Sequence, residues 1–133
     1  MIRILLYVTI SRPDVMQVAG QVERFQVALK ESHVLAVKRI FRYLKGTKEF
    51  GLWYPKENDL SLIAYTNADR ACCIDDRRST SGAVFYLGEC LVSWLSKKQS
   101  SISLSKTEAE YFATAGCCTQ VLWMKQTLTY IQV

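Results

Sequence analysis

The hydrophobic period of this chain changes near residue 50, and that change restricts its possible folds more than any other feature. Before it, apolar residues recur every three or four positions. After it, short apolar runs alternate or cluster between turn residues, and from about residue 103 the helical spacing returns. The order helix, helix, a few strands, helix predicts a mixed α/β protein rather than a bundle or a sandwich.

Ser11-Arg12-Pro13-Asp14 supplies a capping hydroxyl, an early proline and a first-turn acid. Val15, Val18, Val22, Phe25 and Leu29 follow at helical spacing. A second helix is expected from Ser32, with Val34, Val37, Phe41 and Leu44 as its apolar stripe and Gly46 as its stop. Its opposite surface carries Lys38, Arg42 and Lys45. Residues 51–55 and 60–65 read as strands around a polar turn at 56–59. Residues 75–82 read as a polar connection, and 83–87 and 91–95 as strands joined through Gly88-Glu89. Ser103 or Ser105 caps a last helix expected to reach about Tyr130.

With 133 residues, 50% of them apolar and 11% aromatic, the chain has material for a real core. Lys and Arg outnumber Asp and Glu by 17 to 12, a balance that suits contact with a polyanion. No apolar run approaches the roughly 20 residues of a membrane-spanning helix, so no membrane is expected among its partners. Residues 4–10, after Arg3, resemble a short signal-peptide core. Arg12, Pro13 and Asp14 separate them from the small residues at 18–20 where cleavage would fall, so the expected location is cytoplasm or nucleus. The five cysteines, Cys72, Cys73, Cys90, Cys117 and Cys118, show no zinc-ligand spacing and suggest a reducing compartment.

Several residue types suggest chemistry, and each has an ordinary structural use beside it. Glu108 and Glu110 form a possible metal pair, but acids at a helix start also favour its positive end. Lys38, Arg42 and Lys45 can track phosphates or form a solvated face. Trp94 beside Lys97 and Lys98 can stack a base or fill a core. His33 has no nucleophile near it in sequence, and Ser79-Thr80-Ser81-Gly82 lacks the strand-turn-helix frame of a nucleophile elbow.

A set of spaced segments carries a family resemblance. Thr9-Ile10-Ser11-Arg12-Pro13-Asp14, Arg42-Tyr43-Leu44-Lys45-Gly46-Thr47, Tyr65-Thr66-Asn67-Ala68-Asp69, Asp76-Arg77-Arg78-Ser79-Thr80-Ser81-Gly82, the run from Val92 to Gln99, and Thr107-Glu108-Ala109-Glu110-Tyr111 occur in order. Together they resemble the ribonuclease H region, with its upstream connecting segment, of copia-type retrotransposon polyproteins. The resemblance implies a partial ribonuclease H-like α/β fold: two N-terminal helices, about three antiparallel strands and one long C-terminal helix. It implies a helical connecting segment over residues 1–50 and a truncated half-domain over 51–133. It also implies a first strand left with an open edge, through which copies of the chain are expected to associate.

Enzymes of that family gather acidic side chains from separate elements around two Mg²⁺ ions that activate water. By resemblance the strand Asp belongs at Asn67 and the helix Glu at Glu110, while the later acids would lie beyond Val133. An amide binds Mg²⁺ more weakly than a carboxylate and adds no charge. Arg70 stands where the family has Trp, and Cys72-Cys73 replace small and acidic residues. The expectation is therefore a degenerate site of Asn67, Asp69 and Glu110, with no cofactor and no catalysis. Weak contact with an RNA–DNA hybrid or another nucleic acid is expected through Lys38, Arg42, Lys45, Lys97 and Lys98. A second resemblance is narrower: Arg42-Tyr43-Leu44-Lys45 is similar to the RxLR motif of oomycete effectors. That resemblance implies secretion, host plant proteins as partners, and action in host cytoplasm and nucleus.

Overall fold

The computed structural model describes residues 2–56, 59–70 and 76–131, which fall into two compact units, Met1–Trp53 and Tyr54–Val133. The first unit is helical. Helix α1 spans Ile2–Val8, a 3-10 turn covers Pro13–Val15, and α2 and α3 span Met16–Glu23 and Glu31–Gly46. Leu5, Val15, Ala19, Val22, Val37 and Ile40 form its core, with Val8, Ala36 and Leu44 packed against them.

Two expectations change here. Residues 4–8, given no element of their own in the expected order, lie in a folded helix whose Leu5 is fully buried in the core, while Ile4 and Tyr7 are exposed. The single helix expected from Ser11 to Leu29 is instead the 3-10 turn followed by α2, which ends at Glu23. Beyond Val22 its apolar stripe has no surface to bury against: Val27 is 96% exposed and Leu29 is 48% exposed. The chain turns there through short-range bonds such as Phe25 N–H to the Val22 carbonyl. Phe25 stacks on His33 at 4.4 Å, and His33 Nδ1 accepts the Lys30 backbone N–H at 3.1 Å at the start of α3. His33 is thus a capping residue, which accounts for it without chemistry.

The second unit is α/β. Strands β1, Leu62–Asp69, β2, Thr80–Leu87, and β3, Cys90–Lys98, form one antiparallel sheet in the order β1-β2-β3. Gly88 turns β2 into β3 with φ at 58°, a conformation cheap only for glycine. A bulge interrupts the β2–β3 register between Phe85 and Tyr86. The strands are longer than their apolar runs suggest. The ladder continues to Asp69 opposite Thr80, so residues 66–69 and 80–82 are strand, not connection. Residues 51–55, expected as a strand, are irregular. Pro55 has no N–H to give a ladder, and Trp53 is 83% exposed, so the segment has no buried face. Of the expected turn and connection, residues 57, 58 and 71–75, including Cys72 and Cys73, lie outside the described residues.

Helix α4, Lys106–Tyr130, lies on one face of the sheet. Of the two possible caps, Ser105 takes the role: its Oγ accepts the Glu108 N–H at 3.0 Å, and the Glu108 carboxylate accepts the Leu104 N–H at 2.6 Å. Ser103 is buried instead and donates to Gln99 Oε1 at 3.0 Å. Ala109 and Ala113 sit against Ala68 of β1, and Cys117 against Ala83 and Phe85 of β2. Phe85, wholly buried, anchors this second core. Among the described cysteines, Cys90, Cys117 and Cys118 form no disulfide.

Because Leu5 fills the helical core, Leu5→Ala should lower the stability of the first unit by about 2–5 kcal/mol. Urea unfolding followed by circular dichroism checks this; an unchanged midpoint would remove α1 from the core.

Candidate functional site

Alternation along β1 separates the residues of the supposed acidic site. Leu62, Ala64, Thr66 and Ala68 are wholly or partly buried, and Ala68 meets α4. Ile63, Tyr65, Asn67 and Asp69 are exposed, so by the two-residue period they emerge on the opposite face. Asn67 turns its amide oxygen onto the next backbone N–H, that of Ala68, at 2.8 Å. Glu110 projects to solvent from α4 beside Ala109, with Lys106 Nζ at 3.7 Å. The immediate neighbours of Asn67 and Glu110 therefore touch, while the two polar side chains leave the contact. Among the described residues, no three His, Cys, Asp or Glu side chains gather as a metal ion would need. Glu108, the other candidate acid, is occupied in the helix cap.

The cationic residues form two settings. Lys38, Arg42 and Lys45 are exposed on α3, on the surface opposite Val37 and Ile40, and Arg39 is exposed on the same helix. Lys97 and Lys98 divide between the faces of the sheet. Lys97 lies opposite Ser81 and Ala68 in register, on the α4 side. Lys98 lies with Thr80 and Asp69 on the other side and forms an ion pair with Asp76. They alternate between the faces, although both border the groove beside α4. Trp94, opposite Val84, is half-buried on the face away from α4.

The segment Arg42-Tyr43-Leu44-Lys45 is built into a helix, and its two halves differ. Leu44 packs on the helical core, while Arg42 and Lys45 are exposed. Tyr43 belongs to a network that sequence reasoning missed, since none of the readings of Arg12 and Asp14 joined them to residues of the next helix. Arg12 Nε and Nη2 reach the two Asp14 carboxylate oxygens at 3.0 and 2.6 Å, a bidentate pair. The same guanidinium donates to the Thr47 carbonyl at 3.0 Å and Thr47 Oγ1 at 2.7 Å, tying the start of α2 to the end of α3. Tyr43 Oη donates to Asp14 Oδ2 at 2.8 Å, and the guanidinium carbon lies 5.7 Å from the Tyr43 ring centre. The hydrogen bonds from Arg12 and then Tyr43 hold the Asp14 carboxyl below its ordinary range against the opposing effect of partial burial. The bond to Asp14 raises the Tyr43 phenol.

An α/β chain with an antiparallel three-stranded sheet under one long helix is the class of protein defined so far. Comparison with known proteins gives its relatives. The chain is 40% identical over 129 residues to the retrovirus-related Pol polyprotein from transposon RE1 of Arabidopsis thaliana, covering 97% of this chain and 9% of that protein. It is 39% identical over 118 residues to the corresponding polyprotein from transposon TNT 1-94 of Nicotiana tabacum, covering 89% of this chain and 9% of that one. It is also 36% identical over 121 residues to secreted RxLR effector protein 161 of Plasmopara viticola, covering 91% of this chain and 85% of the effector. The chain is similar over nearly its whole length to a segment of retrovirus-related Pol polyproteins from transposons, and spans about a tenth of the length of those polyproteins. No family model and no solved structure matches it. No helix among the described residues is long and apolar enough to cross a membrane.

Two outcomes follow from these geometries. Binding to an RNA–DNA hybrid should weaken steeply with salt, and replacing Lys38, Arg42 and Lys45 with Gln together should flatten the slope of log affinity against log salt. Binding unchanged by the triple substitution would leave α3 a solvated face. For Asp14 the sign is set by its depressed carboxyl. Its contribution is present above the unfolded value of about 3.9 and is lost as pH falls through the lower folded value. Asp14→Asn should therefore lower the thermal midpoint at pH 7 by a few degrees, about what a loss near 1 kcal/mol produces, and by less at an acid pH at which Asp14 is protonated in the folded chain. An equal loss at both pH values would show that its charge is not what matters.

Proposed function

We propose that this chain is a non-catalytic segment of a copia-type ribonuclease H region, at most a weak, sequence-blind binder of nucleic acid. One observation carries the reading: the strand position that calls for a carboxylate holds Asn67, and its amide oxygen is spent on the Ala68 N–H. Asp69 and Glu110, the remaining carboxylates, stand on different elements with no third acid beside them among the described residues. Two metal ions bring four positive charges into a site, and two separated carboxylates neither balance that charge nor fix both ions for in-line attack. Without a dinuclear centre the exposed cations of α3 still attract a phosphate backbone, but through charge alone.

Purified chain with Mg²⁺ or Mn²⁺ should leave an RNA–DNA hybrid intact, and Asn67→Asp alone should not start cleavage. Metal-dependent cleavage by the unaltered chain, abolished by Glu110→Gln, would overturn this reading.

The similarity to a secreted effector over 85% of that protein's length favours a second reading, in which the chain acts inside plant cells by binding host proteins. The placement of Leu44 in a core argues against residues 42–45 serving as an accessible linear motif. The burial of Leu5 likewise argues against removal of residues 4–10 as a signal. A secretion reporter fused to residues 1–25 should fail to leave yeast. Efficient export, together with reduced elicitor-induced cell death in leaves expressing residues 26–133, would move the chain to this second reading.

A further inference from the structure

Beside α4, on the same face of the sheet, a cavity of about 440 Å³ opens between the helix and strands β2 and β3. Its size falls within the roughly 300–1,000 Å³ of small-molecule sites. Ala83 and Leu95 from the sheet, and Phe112, Ala113 and Cys117 from the helix, give it apolar walls. The polar lining is one-sided. Lys97, Lys98, Ser81, Ser100 and Ser101 contribute cations and hydroxyls, Lys98 being already paired with Asp76, and among the described residues no Asp or Glu lines the space.

The polar end is also preset. Gln99 Nε2 donates to Ser81 Oγ at 2.9 Å and to the Ala109 carbonyl at 2.8 Å, and its Oε1 accepts from Ser103 at 3.0 Å. Gln99 is thereby fixed between β2 and α4. Ser81 Oγ, already an acceptor, keeps its proton to donate. Lys97 shares the α4 side with Ser81 by register. A ligand that satisfies this lining must accept hydrogen bonds, carry negative charge, and bring apolar surface for the rest of the cavity.

We propose that this groove binds a small organic anion, with a carboxylate or sulfonate head at Lys97 and Ser81 and an apolar body along Ala83, Leu95 and Phe112. Neither the acidic remnants nor the α3 stripe takes part, so the site stands apart from the function proposed above. Inorganic phosphate or a nucleic-acid phosphate offers the charge without the apolar body and fits only the rim.

The test uses the full 133-residue chain and the fluorescent probe 1-anilinonaphthalene-8-sulfonate. Binding should saturate at one probe per chain, decanoate should displace it, and inorganic phosphate at the same concentration should not. Lys97→Glu should weaken it by about tenfold or more, because a charge-assisted bond is replaced by repulsion. Lys125→Glu makes the same charge change on α4 outside the groove and should leave affinity within about twofold. A Cβ at Gly116, which lines the groove, meets no atom within 4 Å, so Gly116→Leu should fill the space without lowering the melting temperature. That variant should lose saturable binding. Absence of saturable binding by the parent, its persistence in folded Gly116→Leu, or equal losses from Lys97→Glu and Lys125→Glu would overturn the proposal. If Gly116→Leu unfolds, the comparison of Lys97 with Lys125 decides alone.

Discussion

The second unit depends on how closely α4 approaches β1. Ala68 on the strand and Ala109 and Ala113 on the helix meet with nothing larger between them. Small side chains let the backbones come near, and dispersion falls steeply with distance, so three methyl groups do here what larger side chains do elsewhere. Further along, the gap widens enough to hold Phe85, with Cys117, Val121 and Met124 of the helix around it. The cap fixes where this contact begins: Ser105 and Glu108 set the first turn, and Ala109 follows at once. A bulky side chain at 68, 109 or 113 would lift the helix from the strand and loosen the Phe85 layer as well.

The same contact governs what the acidic positions can do. Strand alternation ties residue 67 to the face opposite residue 68, and helical spacing places residue 110 beside residue 109. Once Ala68 and Ala109 are held together, Asn67 and Glu110 are close in sequence to the contact but cannot enter it. In this geometry Asn67 can turn its oxygen to its own backbone without disturbing the alanines. The packing is therefore indifferent to whether residue 67 carries an amide or a carboxylate, so this scaffold does not depend on the chemistry at that position.

The legible part of the fold was the part set by local rules. Gly88 in a two-residue turn and a serine cap before the last helix each follow from one residue type in one conformation, whereas the stripe expected along α3 holds at Val37 and Leu44 but not at Phe41, which is 40% exposed while Ile40 takes the core position. The misread parts depended on partners distant in sequence. The strand at residues 66–69 exists because Thr80 to Ala83 lie opposite, which no local pattern shows. Residues 51–55 look like a strand by composition and have no ladder to join. At the site, strand alternation alone was enough to set Asn67 and Ala68 on opposite faces. The Arg12–Asp14–Tyr43–Thr47 network was not, because its members lie up to 35 positions apart. Gln99 was hidden for a similar reason: it looks like the polar end of a basic strand and instead joins β2 to α4.

The two edges of the sheet show where unspent interaction remains. At β3, Lys97, Lys98 and the bulge before Tyr86 oppose the addition of another strand, the devices that soluble sheets commonly use. Strand β1 has no proline, lysine or bulge, and its first charged residue is Asp69 at the far end. Beside that edge α4 runs uncharged from Tyr111 to Met124, and Tyr111, Leu122 and Trp123 are exposed. The unprotected strand and the unprotected helix flank each other because the alanine contact holds them together. The contact that organises the fold thus also leaves the edge of β1, among the described residues, without the charges and bulge that guard β3.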